Sequence, residues 1–409
     1  MQASNSTMRV ALADYSEAQV VEAATAAGEP HWLIEQRTVA WRHFAASVPP
    51  FWRRTDLSQF HPEQIEPATD SSATTLTWDA AAAPAGVVFC TLADAVRHHP
   101  QLVERYLGTV VDPLAHKFAA LNAALWQNGF FLYVPKHVAV EIPLTATLTL
   151  HETNQAVVAH NLIILEEGAS ATLVEAYTSE SIDGQAFASP VSEIVLGAGS
   201  MLRYITAQTW GDGVYHIGAQ RALVGRDATI EWAAISIGSR VQHVEAETAL
   251  AGDGSRVDWV AATFAAGNQT LLTAPWLRHI GAKTDAHMDF KTVVKDASYA
   301  VFDGMIRIEH ASRATSSRLE EHALHLTPKA RSDSIPGLMI DTNDVLKAGH
   351  ASTSGEVDEE MLFYMRSRGI RREDAMRLIV MGFFEPVLDR IPTETLREHV
   401  TALIDARLG

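Results

Sequence analysis

The feature of the sequence that most constrains the fold is a loose repeat of small-residue corners within residues 138–346. Between the corners, short runs of β-branched and apolar residues alternate with polar ones, which is the pattern of half-buried β-strands. A repeat of about 20–50 residues indicates a stacked architecture, and strands joined by such corners favour a parallel β-helix. The corners fall at Ser170, Ser200, Ala228, Ser255 and Ser298, at successive spacings of 30, 28, 27 and 43 residues.

The break in spacing after Ser255 and the shorter turns between corners leave a second architecture open. A β-sandwich places a turn about every 8–12 residues, and turns of that kind do lie between these corners. The residues alone therefore favour a solenoid without excluding a sandwich.

Helical patterns flank the β region on both sides. The sequence predicts three domains: a helical one at 1–137, a β domain at 138–349 and a helical one at 350–409. Pro49 and Pro50 should end one N-terminal helix. Asp358 opens a C-terminal helix that Gly369 closes, as capping preferences require. The predicted helices cover about 11–27, 30–48, 92–107, 112–127, 358–369, 372–384 and 393–407.

Composition excludes several classes of function. The chain has 49 acidic and 32 basic residues, a net charge of −17 over 409 residues, which argues against binding nucleic acid or an anionic membrane. Its single cysteine, Cys90, can form neither an internal disulfide nor a cysteine-rich metal site. The first residues, Met1 to Asp14, do not resemble a signal peptide, and no apolar run is long enough to span a membrane. We therefore expect a cytoplasmic protein.

Motifs of common catalytic sites are incomplete. Gly281-Ala282-Lys283-Thr284 lacks the glycines of a phosphate-binding loop, and Gly197-Ala198-Gly199 lacks the third glycine of a dinucleotide fingerprint. Cys90 lies in an apolar run, where a cysteine is more often a small buried hydrophobe than a nucleophile.

Histidine is the residue type that most merits attention, with 18 copies. His322 and His325 are three residues apart, so on a strand they should point to opposite faces and should not form a metal pair. His350 lies at the predicted junction of the β domain and the C-terminal helices. Taken alone, it is more simply explained as a junction residue than as a ligand.

The stretch from Ile340 to Ile370 changes that interpretation, because it resembles the SufB/SufD family of iron–sulfur cluster assembly proteins. The resemblance extends to further stretches and covers about Pro30 to Arg407. The matching motifs are Asp344-Val345, Gly349-His350, Gly355 to Asp358, Leu362-Phe363-Tyr364, Arg366 to Ile370, Trp52 to Leu57, Leu121 to Pro135 and Val301 to Ile306.

The resemblance implies a right-handed parallel β-helix with helical segments at both ends, which favours the solenoid over the sandwich. It also implies a scaffold without catalytic activity, which pairs with a SufB-type paralogue and binds the ATPase SufC through its C-terminal helices. Whether the isolated chain forms a homodimer is left open by the resemblance. The candidate partner-contact residues in this region are Leu362, Phe363, Tyr364, Arg366, Arg368, Gly369, Phe383 and Phe384. Of these, Phe383 and Phe384 are apolar enough to be either contact or core residues, and core is the simpler interpretation.

In the family that the chain resembles, the histidine that matches His350 lies at the SufB–SufD interface and is implicated in cluster formation. Ala348 stands where related sequences often carry cysteine, and only a thiolate can carry persulfide, so the chain resembles the SufD-type members. A neutral imidazole can bind iron while a partner supplies thiolate. We expect no cofactor bound stably by the chain alone, and a transient cluster at the interface.

Two alternatives remain at this stage. The chain could be purely structural, with His350 only a hydrogen-bonding residue of the interface. Alternatively, because β-helices house polysaccharide-active enzymes, Asp285, Asp289 and Asp303 could form an acidic catalytic group. No flavin pocket is specified.

Overall fold

A computed structural model describes residues 10–68, 71–80, 83–180 and 182–409. Most of the stretch compared with signal peptides, residues 1–9, lies outside the described residues. The helices begin and end close to where the sequence predicts them. They are α1 Glu17–Ala26, α2 His31–Ala46, α3 Leu92–His98, α4 Pro100–Tyr106, α5 Lys117–Leu125, α6 Glu359–Ser367, α7 Arg372–Leu388 and α8 Glu394–Leu408.

One predicted helix, at 92–107, is divided in two. Pro100 begins α4, and the preceding His99 has φ −133° and ψ 44°, outside the helical region. The reason is that the proline ring disfavours the helical conformation of the residue before it.

The strands alternate between two facing sheets. They are β1 Glu66–Pro67, β2 Thr74–Thr77, β3 Val88–Thr91, β4 Phe130–Val134, β5 Leu144–Leu150, β6 Gln155–Leu165, β7 Ser170–Ser179, β8 Ala186–Leu196, β9 Met201–Thr209, β10 Val214–Val224, β11 Thr229–Ser236, β12 Val241–Leu250, β13 Arg256–Ala265, β14 Thr270–His279, β15 Asp285–Val294, β16 Tyr299–Phe302, β17 Met305–Ile308, β18 Thr315–His325, β19 Arg331–Ser334, β20 Gly337–Ile340 and β21 Val345–Glu356.

The pairing of these strands confirms the predicted solenoid. One sheet, called sheet A, has the order β19-β16-β14-β12-β10-β8-β6-β4-β3, with β1, β17 and β20 paired off this path. Sheet B has the order β2-β5-β7-β9-β11-β13-β15-β18-β21. Neighbours are parallel except β2 with β5 and β3 with β4. From β4 to β16 consecutive strands alternate between the two sheets, and strands pair in parallel with those of the next turn. The chain therefore coils through about eight turns and is not a sandwich.

The break in the repeat has a simple origin. Ser170 begins a strand of sheet B and Ser200, Ala228 and Ser255 directly precede one, whereas Ser298 precedes β16 of sheet A. The missing sheet B corner is Gly281-Ala282-Lys283-Thr284, immediately before β15. Its Lys283 has a left-handed φ of 57°, where a lysine is unusual, so the sequence conceals the turn.

The predicted domain boundaries differ from the ends of the solenoid. β3 and β4 lie within 1–137 yet belong to sheet A, so that region is not purely helical. At the other end, β21 continues past residue 349 to Glu356 because it pairs with β18 along its whole length.

The N-terminal helices and the C-terminal helices cover different sheets. Side chains of α2, α3 and α5 pack with outward residues of sheet A such as Tyr215 and Ile217. Phe384 and Val387 of α7 pack with outward residues of sheet B. The helices therefore cover both faces of the solenoid, whereas nothing in the described ranges covers its final turn. In the part of the chain that the structure describes, no helix is both long and apolar enough to cross a membrane.

Candidate functional site

His350 lies on the last strand of the solenoid and belongs to an inward-facing row of side chains. The register pairs Leu319 with His350, and the row behind them contains Met288, Trp259, Trp232 and Tyr204. Trp232 and Trp259 stack with ring centroids 5.0 Å apart. His350 thus continues the central stack of the core by one turn. It is exposed because, among the described residues, no further strand pairs with β21.

A β-bulge determines which way His350 faces. Thr315 pairs with Val345, but Ser316 pairs with Lys347, so Leu346 is an extra residue in β21. Because side chains alternate along a strand, one extra residue reverses the face of every residue that follows. Without the bulge, His350 would lie opposite Glu320 and point away from the core.

The imidazole of His350 is free of internal partners. It makes no hydrogen bond and no ion pair with the residues that the structure describes. Neither do the described residues contain a group of three or more histidine, cysteine, aspartate or glutamate side chains arranged to hold a metal ion. The chain by itself can therefore supply only part of an iron-binding shell at this position.

Polar side chains surround the open end of the core beside His350, and we call them the polar rim. Ser352 Oγ donates to Glu321 Oε2 at 2.9 Å and lies 2.8 Å from Ser334 Oγ, which joins β21 of sheet B to β19 of sheet A. His325 Nε2 lies 2.8 Å from Ser332 Oγ and 3.2 Å from Ser354 Oγ. The rim consists of Glu321, His325, Ser332, Ser334, Ser352 and Ser354.

The carboxyl group of Glu321 is the least expected member of the rim. Its residue is only 1% exposed, and burial raises the pKa of the carboxyl group. The sequence pattern gives no sign of this carboxyl group, because its burial depends on the facing sheet. The prediction that His322 and His325 face opposite ways is confirmed: His322 contacts Thr353 on the outside, whereas His325 contacts the rim.

The thiol of Cys90 lies far from the final turn that carries His350. Ala348 packs partly buried against the central core cluster. Cys90 lies on β3, the strand at the opposite end of sheet A, and burial raises the pKa of its thiol to about 11. A thiol with so high a pKa remains protonated at neutral pH and is a poor sulfur nucleophile.

The edge of the final turn exposes apolar side chains. Met339 and Ile340 at the end of β20 and the bulged Leu346 are 48%, 44% and 74% exposed. Together with the unpaired edge of β21, they form a surface of the kind that natural proteins cover or pair.

The C-terminal residues predicted to contact partners fall into two groups. Phe363 and Tyr364 on α6 are 73% and 57% exposed, and Arg366, Arg368 and Gly369 are also exposed. Leu362 and Phe384 are buried at 0% and 1%, because they hold α6 to α7 and α7 to sheet B, and Phe383 is half-buried beside Phe384.

Two exposed apolar residues in the same region escaped the sequence analysis. Met361 on α6 and Leu378 on α7 are 50% and 51% exposed. Met361 precedes Tyr364 by three residues, and this spacing on a helix could have indicated a shared face.

The segment from Trp52 to Leu57, singled out in the sequence, lies across sheet A. Trp52 stacks on His243 of β12 with ring centroids 3.8 Å apart, and Thr55 Oγ1 lies 2.7 Å from His243 Nδ1. Arg54 donates to Asp333 of β19 at 3.2 Å. The N-terminal region is thereby tied to the final turn.

The three aspartates considered as a catalytic group do not meet. Asp285 and Asp289 lie on the outer face of β15 in sheet B. Asp303 lies between β16 and β17 of sheet A, across the core. This arrangement gives no support to a polysaccharide-active site.

Comparison with protein families finds two matching models. Residues 148–383 match the model described as "SUF system FeS cluster assembly, SufBD core domain", and residues 69–145 match "SufBD protein N-terminal region". The first match covers the solenoid from β5 into α7 and includes His350.

Curated relatives agree with these models. The iron-sulfur cluster assembly protein SufD of Bacillus subtilis is 35% identical over 328 residues, which are 79% of this chain and 74% of the relative. SufBD family proteins of Staphylococcus saprophyticus and Staphylococcus epidermidis are 32% and 31% identical over 309 residues. These alignments cover 76% of this chain and 66% of each staphylococcal relative.

Proposed function

This chain belongs to the SufBD family of the SUF system for iron–sulfur cluster assembly, and we propose that it is a SufD-type scaffold subunit without catalytic activity of its own. In this proposal the final turn pairs with a SufB-type paralogue, the C-terminal helices bind the ATPase SufC, and His350 offers a nitrogen ligand to iron at the pairing surface. The assembling cluster is the cargo of the complex.

The single observation that carries the proposal is the uncovered final turn with His350 in its centre. The start of the solenoid is closed by the antiparallel strands β2 and β3, whereas the described residues contain no strand that pairs with the outer edge of β21. An unpaired 12-residue strand edge is a template for another sheet. A partner that pairs there would bury His350 at the contact.

The distribution of donors supports a shared site. This chain brings an imidazole to the surface but no reactive thiol, since Ala348 replaces the possible cysteine and Cys90 is distant and protonated. Persulfide requires a thiolate, so the sulfur carrier belongs to the partner. Iron can be bound by both donor types together.

Exposed aromatic and basic side chains on α6 support an ATPase-docking role for the C-terminal helices. Phe363 and Tyr364 present apolar surface, and Arg368 lies over the Tyr364 ring at 5.2 Å. Aromatic residues and arginine are enriched at the energetic centres of interfaces. The incomplete phosphate loop is consistent with nucleotide chemistry carried out by the partner.

Co-expression of the tagged chain with SufB-type and SufC-type partners tests the assembly. We expect a ternary complex, and a chain that purifies alone would contradict the proposal. Leu346→Glu should prevent pairing by placing a charge on the edge. Ile142→Glu, an equally drastic change at a 50% exposed residue near the start of the solenoid, should not.

Docking of SufC is tested separately. Phe363→Ala with Tyr364→Ala should remove SufC while leaving the paralogue bound. Phe51→Ala is the matched control, since this aromatic is 92% exposed but lies in the N-terminal region. Equal SufC binding by the double variant and the control would place the docking surface elsewhere.

The role of His350 is tested by His350→Ala in the assembled complex, with iron and sulfide content as the readout. Loss of the cluster from an intact complex supports iron binding. Loss of the complex itself favours the purely structural alternative, in which the imidazole only stabilises the interface. Normal cluster formation would exclude both roles.

A further inference from the structure

We propose that Glu321 is a second iron ligand of this chain, acting with His350 from one turn deeper in the core. This inference rests on the proposed function, because it deepens the description of the same site. It arises from the contacts of Glu321, which differ from those of the other buried carboxylates in the solenoid.

Glu175 shows how this protein normally buries a carboxyl group. It is 0% exposed and accepts hydrogen bonds from Asn161 Nδ2 at 2.5 Å, from Ser192 Oγ at 3.3 Å and from the hydroxyl of Tyr204. Glu193, also 0% exposed, accepts from three backbone N–H groups at 2.6–3.0 Å and contacts His160 Nε2 at 2.8 Å. Both carboxylates are surrounded by donors.

Glu321 is equally buried but poorly supported. Only two serine hydroxyls support it, Ser352 at 2.9 Å and Ser334, and within the described ranges no arginine, lysine or histidine nitrogen lies within 4 Å of it. A buried carboxyl group with so few donors is destabilising, and a bound cation would remove that penalty.

The register brings Glu321 close to His350. Leu319 pairs with His350 and Glu321 pairs with Ser352, so the two residues are diagonal neighbours on the inner face of adjacent strands. With strands about 4.8 Å apart and a rise of about 3.3 Å per residue, their Cα atoms are about 8 Å apart. Both side chains are long enough to converge on one ion at the open end.

The donor types fit ferrous iron. Carboxylate oxygen and imidazole nitrogen are the protein ligands of many iron(II) sites, whereas neither is a sulfur carrier. Two donors leave most of the coordination positions open to solvent, sulfide or a partner's thiolates. That agrees with the lack of a complete metal-binding group among the described residues.

The polar rim supplies the environment that such a site needs. The serine hydroxyls can exchange their mutual hydrogen bonds for bonds to metal-bound water. Ser352 can also orient the carboxylate, as groups behind metal ligands commonly do.

The test is anaerobic titration of the full chain, without partners, with Fe²⁺ by equilibrium dialysis and with Co²⁺ by visible absorption. We expect Glu321→Gln and His350→Ala each to weaken binding at least tenfold. Glu175→Gln, which changes a carboxyl on the same inward row several turns away, should leave binding unchanged. Glu321→Asp should retain part of the affinity because it keeps the charge.

Three results would overturn the inference. They are no saturable binding by the unaltered chain, Fe²⁺ binding by Glu321→Gln at the original affinity, or an equal loss in Glu175→Gln. Ser352→Ala tests whether Glu321 binds the iron directly. A loss of Fe²⁺ affinity below threefold supports direct binding by Glu321, and a loss equal to that of Glu321→Gln contradicts it. Because no partner is present, these outcomes are independent of complex formation, which co-purification of Glu321→Gln measures separately.

Discussion

The stack that carries His350 yields a quantitative prediction for Leu319→Ala. Leu319 is 0% exposed and lies directly between Met288 and His350 in the inward row. Truncating a buried leucine to alanine costs about 2.7–5 kcal/mol where the cavity cannot collapse. Here the neighbouring turn is the last one and water can enter from the open end, so we expect about 2–3 kcal/mol.

The loss should be local, because a solenoid turn contacts only its neighbours. Opening of the final turn should become easier by about 2–3 kcal/mol, which corresponds to roughly 30- to 150-fold faster amide exchange in β21. Hydrogen exchange measured by mass spectrometry over 345–356 detects this change. Cluster assembly should fall with it, because His350 would no longer be held above a rigid layer.

A matched variant makes the argument refutable. Leu173 occupies the same inward row near its beginning and is also 0% exposed. Leu173→Ala should destabilise its own turns and leave exchange in β21 unchanged. If both variants accelerate exchange in β21 equally, or if Leu319→Ala affects all strands alike, the picture of an independent final turn is wrong.

Three further perturbations follow from buried groups. Burial lowers the pKa of His216 to about 3, so as pH falls below about 6.5 the unfolded chain takes up a proton that the folded chain refuses. The free energy of unfolding should therefore fall by up to about 1.4 kcal/mol for each pH unit of acidification below that point. Urea unfolding at pH 7 and pH 5 should show a smaller loss for His216→Gln than for the unaltered chain. Arg37→Leu should lower the free energy of unfolding, measured in urea, by about 3–5 kcal/mol. The reason is that Arg37 Nε lies 2.7 Å from the buried carboxylate of Glu29, which the variant leaves without a counter-charge. Gly129→Ala should yield little folded protein by circular dichroism, because φ is 111° and the new Cβ would lie 2.0 Å from the carbonyl oxygen of His160.

The sequence predicted the strands and helices of the fold better than the turns that connect them. Corner residues and alternation indicated the solenoid because each turn repeats the same local requirement. The corner at Lys283 was missed because a left-handed lysine has no sequence pattern that distinguishes it. The family resemblance, rather than periodicity, decided between solenoid and sandwich.

The site was predictable only in part, for reasons of packing. The resemblance pointed to His350, but its inward direction depends on the bulge at Leu346, and a bulge becomes visible only when the register is known. Similarly, Leu362 and Phe384 were grouped with Phe363 because all are apolar, while the helix contacts decide that the first two are core. Glu321 was not recognised because its burial arises from the opposite sheet.

The bulge and the stack together explain how a chain without a reactive thiol can still contribute to cluster chemistry. The core of the solenoid is built from side chains that repeat turn after turn, and the last member of one row is a histidine instead of an aliphatic residue. This position is accessible because no further turn follows it among the described residues. The same open edge that invites a partner therefore also exposes the imidazole. Deleting Leu346 should remove the bulge yet keep Lys347 opposite Ser316, leaving His350 inward and metal binding intact. Weaker binding in that deletion variant, with β21 still ordered by hydrogen exchange, would show that the bulge itself holds the ligand in place.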